Sequence, residues 1–234
     1  MSNSKVYLIP SVLDETATQT IPLYIIDAVK DSQVIFAENE RTARRFLKSI
    51  CKEIVIDDYE WFAIHKAEEE QKQIFKEKIK AGKNISIISE AGCPGIADPG
   101  QILIAAAQEM NAVVKPLVGP SSILLALMAS GMNGQQFEFV GYLPIDNNER
   151  VKAIKDLENT SQKKRSTQIF IETPYRNDQL VDTLLKACKP GTKLCIAAEL
   201  TGTNEFVKTK TVADWKKEKT GLHKKPVIFL LMAE

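Results

Sequence analysis

Short apolar runs alternate with amphipathic stretches through the first half of the chain. Residues 6–9, 34–37, 53–57, 85–88 and 113–118 are brief, mostly apolar runs, and the first of them stops at Pro10. Runs of that length without polar alternation predict strands buried on both faces of a parallel sheet. Between them, residues 23–29, 42–50, 67–80, 102–110 and 121–130 read as helices. Their ends carry the expected punctuation: the polar turn Glu38-Asn39-Glu40-Arg41, Gly82, Ser121 as a cap and Gly131 as a stop. Strand and helix therefore alternate from residue 5 to about 130, the pattern of an open, mostly parallel α/β sheet.

The character changes after Gly141-Tyr142-Leu143-Pro144. Residues 146–165 carry many charges and read as a solvated, mobile connection or a helix. Residues 168–171, 194–198, 205–207 and 227–231 then read as strands, with helices at 177–189 and 212–219. This is a second, smaller α/β unit with a mixed sheet. A length of 234 residues suits two such units. The expected division is an N-terminal domain over residues 1–117 and a C-terminal domain over 118–234.

Composition narrows the class. With 44% hydrophobic and 26% charged residues, the chain is neither disordered nor fibrous. Its 31 Lys+Arg against 30 Asp+Glu give a net charge of +1, so any anionic partner must be met by a local patch rather than by a global field. No apolar run approaches the ~20 residues of a membrane span, and the N-terminal residues lack a signal-type apolar core. The expectation is a cytoplasmic protein without a membrane partner. Cys51, Cys93, Cys188 and Cys195 are scattered, and only His65 and His223 could join them, so reduced packing thiols are expected and no metal site.

Ligands of open α/β sheets bind beyond the carboxyl ends of the strands. The loop after the run 85–88 is Ser89-Glu90-Ala91-Gly92-Cys93-Pro94-Gly95-Ile96-Ala97-Asp98-Pro99-Gly100. Its glycines let a ligand approach the main chain and its prolines stiffen the path; a tight structural loop is the competing reading. Pro116-Leu117-Val118-Gly119-Pro120-Ser121-Ser122 repeats the logic of strand, glycine turn and serine-capped helix. Both loops would serve one crevice, which favours a small polar ligand. Neither is a G-x-G-x-x-G nor a G-x-x-x-x-G-K-[ST] motif, and there is no G-x-S-x-G for serine hydrolysis.

These two loops, together with Ala129-Ser130-Gly131 and Gly141-Tyr142-Leu143-Pro144, resemble the tetrapyrrole (corrin/porphyrin) methylase family. Within it the likeness is to the branch of ribosomal small subunit RNA ribose 2′-O-methyltransferases. Ala37-Glu38-Asn39-Glu40-Arg41-Thr42, Ile171-Glu172-Thr173-Pro174-Tyr175-Arg176, and Ala198-Glu199-Leu200-Thr201 with Glu205 extend it over nearly the whole chain.

The resemblance implies a methyltransferase using S-adenosyl-L-methionine, with the cofactor in a cleft between two α/β domains, and a homodimer. By motif, Pro10, Ala91, Gly92, Ile96, Ser121 and Ser122 fall at the cofactor on the first side, and Glu172, Leu200 and Pro226 at its adenosine portion. Most of these contacts would be made through main chain. Pro10-Ser11-Val12-Leu13-Asp14-Glu15 stands where the branch has a P-x-G-N type loop. Glu38-Asn39-Glu40-Arg41 replaces Glu-Asp-Thr-Arg, and His223-Lys224-Lys225-Pro226 replaces Lys-Gly-Glu.

The implied reaction is methyl transfer to a ribose hydroxyl of ribosomal RNA. The alternatives are a tetrapyrrole or other small-molecule acceptor, or a non-catalytic module that keeps the cofactor site. A hydroxyl acceptor benefits from a general base, for which Glu38, Glu172 and Glu199 qualify by position, while Arg41 and Arg176 suit a phosphate or carboxylate. Glu38, Arg41 and Glu199 are the chosen catalytic candidates, with structural ion pairs as the competing reading. Three basic clusters could meet RNA phosphates: Arg41, Arg44, Arg45, Lys48 and Lys52; Lys163-Lys164-Arg165; and Lys216, Lys217, Lys219, Lys224 and Lys225. Each could instead be a solvated face. Trp61, Phe62 and Tyr142 could stack on a base or pack in the core.

Overall fold

The computed structural model describes residues 4–64, 68–97 and 100–233. His65, Ala67, Asp98 and Pro99, which the sequence assigned to a possible metal partner, a helix start and the long loop, lie outside the described residues. The chain forms two compact units, Met1–Ser121 and Ser122–Glu234.

In the first unit, β1 (Lys5–Ile9), β2 (Val34–Ala37), β3 (Glu60–Ala63), β4 (Ile85–Ile88) and β5 (Val113–Pro116) form one sheet in the order β3-β2-β4-β1-β5. All four pairings are parallel. The helices are α1 (Ile25–Lys30), α2 (Glu40–Ile50), α3 (Glu68–Lys80) and α4 (Gln101–Glu109). Strand residues alternate between two cores. Tyr7, Ile9, Ile35, Ala37 and Ile88 meet Ile25 and Val29 of α1 and Ala43 and Leu47 of α2. Val6, Val34, Phe36, Ile85 and Ile87 meet Phe75 and Ile79 of α3 and Leu103 and Ala106 of α4. Both faces of β2 and β4 are thus covered, which is why their sequences VIFA and ISII show no polar alternation.

The helix placement sets the position of the crevice. The helix after β2 lies on one face of the sheet and the helix after β4 on the other, although the two strands are neighbours. Their outgoing loops therefore diverge, which is the switch-point geometry at which open α/β sheets hold ligands.

The strand expected at residues 53–57 is corrected. Ile54 is buried as a core plug, Ile56–Asp58 makes a 3-10 turn, and the strand begins later at Glu60. The later register puts Phe62 in a stacked contact with Phe36, ring centroids 4.9 Å apart, and lets the Trp61 indole N–H donate to the Ile56 carbonyl at 2.9 Å. As an edge strand, β3 also tolerates Glu60, which pairs with Lys78.

The second unit contains α5 (Ser122–Ser130), β6 (Phe137–Tyr142), α6 (Asn147–Lys164), β7 (Thr167–Ile171), α7 (Asn177–Ala187), β8 (Lys193–Ala198), β9 (Phe206–Thr211), α8 (Val212–Trp215) and β10 (Val227–Met232). Its sheet has the order β6-β7-β10-β8-β9 and is mixed: β6 runs parallel to β7 and the remaining pairs are antiparallel. One face carries Phe170, Ile196, Phe229 and Trp215 with Ile154 of α6 and Leu180 and Leu184 of α7. Helix α5 packs against β8, β9 and β10, where the Thr209 hydroxyl donates to the Ser130 carbonyl at 2.7 Å.

The segment read as a mobile connection or a helix is a helix of 18 residues. Asp146 caps it, accepting from the N–H groups of Asn148 and Glu149 at 2.9 and 3.0 Å. Arg150, Ile154, Glu158 and Ser161 form its buried stripe, so the charges around that stripe mark a solvated outer surface. Strand β6 has no counterpart in the sequence reading. The helix expected at 212–219 ends at Trp215, whose indole N–H is anchored on the Leu194 carbonyl at 2.8 Å.

Candidate functional site

In the first unit, the loops after β1, β4 and β5 leave three adjacent strands at their carboxyl ends and are tied together by main chain. Ser11 and Gly92 exchange both hydrogen bonds of an isolated antiparallel bridge, at 2.8 and 3.2 Å. The buried Ser11 hydroxyl donates to the Ser89 carbonyl at 2.7 Å, and the Ser89 hydroxyl donates to the Gly92 carbonyl at 3.1 Å. The Cys93 thiol lies 3.5 Å from the Pro120 carbonyl, closing the third side.

Two glycines are required here. Gly92 has φ +77°, a conformation that L side chains rarely adopt. Gly119 packs so tightly on Pro10 that a Cβ would sit 2.2 Å from the proline Cβ. Pro10 is buried, Ala91 and Ile96 are exposed, and Ser121 is half-buried. The sequence reading missed Ser11 and Ser89. Both lie within motifs it quoted, but nothing in the sequence showed that the two loops bond to each other.

At the divergence of β2 and β4, the Glu38 N–H donates to the Ile88 carbonyl at 3.0 Å, and Glu38 Oε2 accepts the Glu90 N–H at 2.9 Å. Glu38 thereby fixes the first residues of the long loop. Asn39 caps α2, accepting from the Arg41 N–H at 3.0 Å, and Arg41 itself extends an exposed side chain from the helix start.

In the second unit, three chain segments meet at one end of the sheet. Glu172 follows β7 with a side chain 0% exposed. Its Oε1 accepts the Thr173 N–H at 2.6 Å and the Arg176 Nε and Nη2 at 3.0 and 2.6 Å. Oε2 is buried and has no hydrogen-bond partner among the described residues. A carboxylate enclosed in this way can offer a ligand only the main chain beside it. Glu199 follows β8 at φ +51° and pairs with Lys225 at 2.5 Å. Leu200 is buried and Pro226 is exposed, with the Pro226 carbonyl accepting the Glu199 N–H at 3.0 Å. Asn177, absent from the sequence reading, joins the segments by donating to the Lys225 and Leu222 carbonyls at 2.7 and 3.4 Å. Ser122, at the start of α5, is half-buried.

The basic clusters differ from one another. On α2, Arg44 pairs with Glu40 at 2.9 Å and lies over the Trp61 ring at 4.9 Å, Arg45 pairs with Glu15 at 3.4 Å, and Lys48 donates to the Lys52 carbonyl at 2.9 Å. Lys163, Lys164 and Arg165 are exposed, and Lys217 pairs with Asp214 at 2.8 Å. Among the aromatics considered for stacking, Trp61 and Phe62 pack inside while Tyr142 is 60% exposed. Among the described residues no group of three His, Cys, Asp or Glu side chains is placed to hold a metal ion. A cavity of about 400 Å³ lies elsewhere, between residues 18–26 and the end of α2, and none of the chosen site residues lines it.

The glycine-bearing, cross-bonded strand-end loops of a parallel α/β sheet are the kind of place where such folds hold small ligands. Comparison with known proteins gives the group. Residues 17–215 match the family described as Tetrapyrrole (Corrin/Porphyrin) Methylases. Three relatives named ribosomal RNA small subunit methyltransferase I are similar to it. That of Vibrio cholerae serotype O1 is 32% identical over 65% of this chain and 52% of its own length. That of Halalkalibacterium halodurans is 31% identical over 83% and 65%, and that of Escherichia coli O157:H7 is 28% identical over 98% and 78%. The matched stretch thus runs from about half to about three quarters of these relatives' own length.

Among solved structures, the methyltransferase CobJ superposes with a TM-score of 0.67 at 13% identity, covering 99% of this chain and 95% of its own. A uroporphyrin-III C-methyltransferase from Thermus thermophilus gives 0.58 at 16% identity, covering 98% and 92%. The chain belongs to the tetrapyrrole (corrin/porphyrin) methylase family.

Proposed function

We propose that this chain transfers a methyl group from S-adenosyl-L-methionine to ribosomal RNA, at a ribose hydroxyl. The observation that carries the reading is the clasp of Ser11, Ser89 and Gly92 with Gly119 seated on Pro10, which fits a cofactor held by main-chain groups. Pro10, Ala91, Gly92, Ile96 and Ser121 of the first unit, and Ser122, Glu172, Leu200 and Pro226 of the second, are the residues that would hold it. The bound cofactor supplies an electrophilic methyl group on a positively charged sulfur.

The chain's own contribution is positioning, which for well-oriented groups is worth up to ~7–11 kcal/mol. Its strand-end bridge fixes the loop, Glu172 fixes the turn after β7 by bonding Thr173 and Arg176, and the Glu199–Lys225 pair fixes the turn after β8. Glu38 is the carboxylate placed at the sheet's switch point, where it can take the proton of an acceptor hydroxyl. Arg41, exposed one turn away, suits the phosphate beside that hydroxyl.

The names of the sequence relatives favour RNA over a tetrapyrrole acceptor. The likeness to uroporphyrin and CobJ enzymes rests on fold alone, at 13–16% identity. The reading includes a homodimer and a cytoplasmic location. Leu124 and Met128, 51% and 79% exposed at successive turns of α5, support a subunit contact. Cys51, Cys188 and Cys195 form no disulfide, as suits a reducing compartment. No described helix is long and apolar enough to cross a membrane.

Two measurements test the reading. Calorimetric titration should show binding of S-adenosylmethionine and S-adenosylhomocysteine but not of NAD or ATP. Purified protein should then transfer labelled methyl to ribosomal RNA from a strain lacking the gene. Cofactor binding without transfer to any RNA or tetrapyrrole would leave the non-catalytic module in place of the enzyme.

A further inference from the structure

Tyr175 is the most exposed Phe, Tyr or Trp among the described residues. It lies in the turn after β7 with 70% of its surface exposed, and it makes an edge contact with the exposed ring of His223, centroids 5.8 Å apart and planes at 74°. The two rings come from segments 48 residues apart in sequence, yet the segments are locked together. The Lys224 N–H donates to the Pro174 carbonyl at 2.9 Å, and the Leu222 N–H donates to Asp178 Oδ1 at 2.8 Å. Lys224 adopts φ +63° to make this joint. A fixed backbone carrying exposed rings is a preorganised contact surface, because the two segments need not be ordered on binding.

Cationic side chains flank the rings: Arg176 follows Tyr175, while Lys224 and Lys225 follow His223. Arg176 and Lys225 are each paired with a carboxylate, and Lys224 extends an exposed side chain. Tyr142, 60% exposed, lies at the same end of the sheet in register with Ile171. Aromatic faces beside cations are the chemistry that holds unpaired nucleic-acid bases, each stacked base being worth ~1–3 kcal/mol. An apolar protein partner would instead call for an apolar patch, which the flanking charges interrupt.

We propose that the Tyr175–His223 pair is a stacking platform for an unpaired RNA base, with Lys224 on the adjoining phosphate. This deepens the RNA reading given above and rests on it. The platform takes a base of the large ligand and not the adenine of the cofactor, because the exposed Lys224 beside it has a phosphate to meet in RNA and none in S-adenosylmethionine.

The test compares the unaltered full chain with Tyr175→Ala, Tyr175→Phe and His223→Ala. The probes are a labelled single-stranded oligoribonucleotide and S-adenosylmethionine, each titrated separately. Tyr175→Ala should bind the oligoribonucleotide about tenfold more weakly, within the range stacking allows. Tyr175→Phe should bind it like the unaltered chain, His223→Ala should show a smaller loss, and cofactor affinity and melting temperature should not change. Unchanged RNA affinity in Tyr175→Ala overturns the platform, as does a loss confined to S-adenosylmethionine, which would assign the ring to the adenine. Failure of the functional reading itself looks different: the unaltered chain would bind cofactor and leave every RNA unmethylated.

Discussion

Replacing Gly119 by alanine would place a methyl group 2.2 Å from the Cβ and 2.3 Å from the Cγ of Pro10, more than an ångström short of ordinary contact. The proline ring cannot rotate away, and Pro10 closes β1, so the loop after β5 must move instead. Overpacking of this kind costs about 1–3 kcal/mol, or some 2–4 °C of melting temperature per kcal/mol in a chain of this size. Gly119 has no left-handed backbone, so the cost is steric. The functional consequence is sharper, since a shift of ~1 Å in a positioning element can cost a hundredfold. Calorimetry should show S-adenosylmethionine affinity reduced by tenfold or more. Gly82→Ala is the control, because that glycine has φ +74° and open space around it: it should lose about 1–2 kcal/mol of stability and no affinity. In Pro10→Gly with Gly119→Ala the two changes should couple, the second costing less in the absence of the ring. A Gly119→Ala protein that melts lower yet binds the cofactor unchanged would refute the placement of the cofactor against this loop.

Three further outcomes are expected. Ser11→Ala removes the bond to the Ser89 carbonyl and leaves that buried acceptor unpaired; it should cost about 1–3 kcal/mol by denaturant titration and raise KM for the cofactor more than it lowers kcat, with Thr restoring both. The Tyr7 hydroxyl at 2.5 Å and the Lys5 ammonium at 2.9 Å hold the Asp31 carboxyl below the usual carboxylate range. A depressed folded value contributes stability above the unfolded pKa of ~3.9 that is lost as pH falls through the folded one. The melting gap between the parent and Asp31→Asn should therefore be open at neutral pH and close in acid. Burial, with Glu158 nearby, pushes the Cys188 thiol up to about 12, and burial also raises Cys195. Neither thiol should react with an alkylating agent at mildly alkaline pH until the protein is unfolded.

The parallel sheet was legible because each of its buried strands is a short, mostly apolar run, and residues 34–37 and 85–88 appear as strands with those same bounds. Edge strands do not carry that signal. Strand β3 has one neighbour, so its sequence EWFA can mix charge with aromatic, and the more apolar stretch before it was read as the strand instead. Strand β6 is also an edge, and its FEFVGY exposes Phe137 and Tyr142. Helix α6 was ambiguous for the opposite reason: its fully buried residues are Arg150, Ile154, Glu158 and Ser161, and three of those four are polar. A buried stripe made of polar residues has no hydrophobic period to detect.

The site divides along the same line. Glycine and proline advertised the loops after β4 and β5, because backbone constraints are written in residue type. What the residues bond to is not written there. Glu38, Glu172 and Glu199 look alike in sequence, yet the first fixes the Glu90 N–H, the second is enclosed with Arg176, and the third pairs with Lys225. These different surroundings rank the three as bases. A carboxylate sealed at 0% exposure cannot reach a substrate proton, and one held by a lysine at 2.5 Å already has that ammonium against its oxygen. Under the proposed reaction Glu38, half-buried at the switch point of the sheet and with no ammonium or guanidinium on its oxygens among the described residues, is the one of the three to test first as the base.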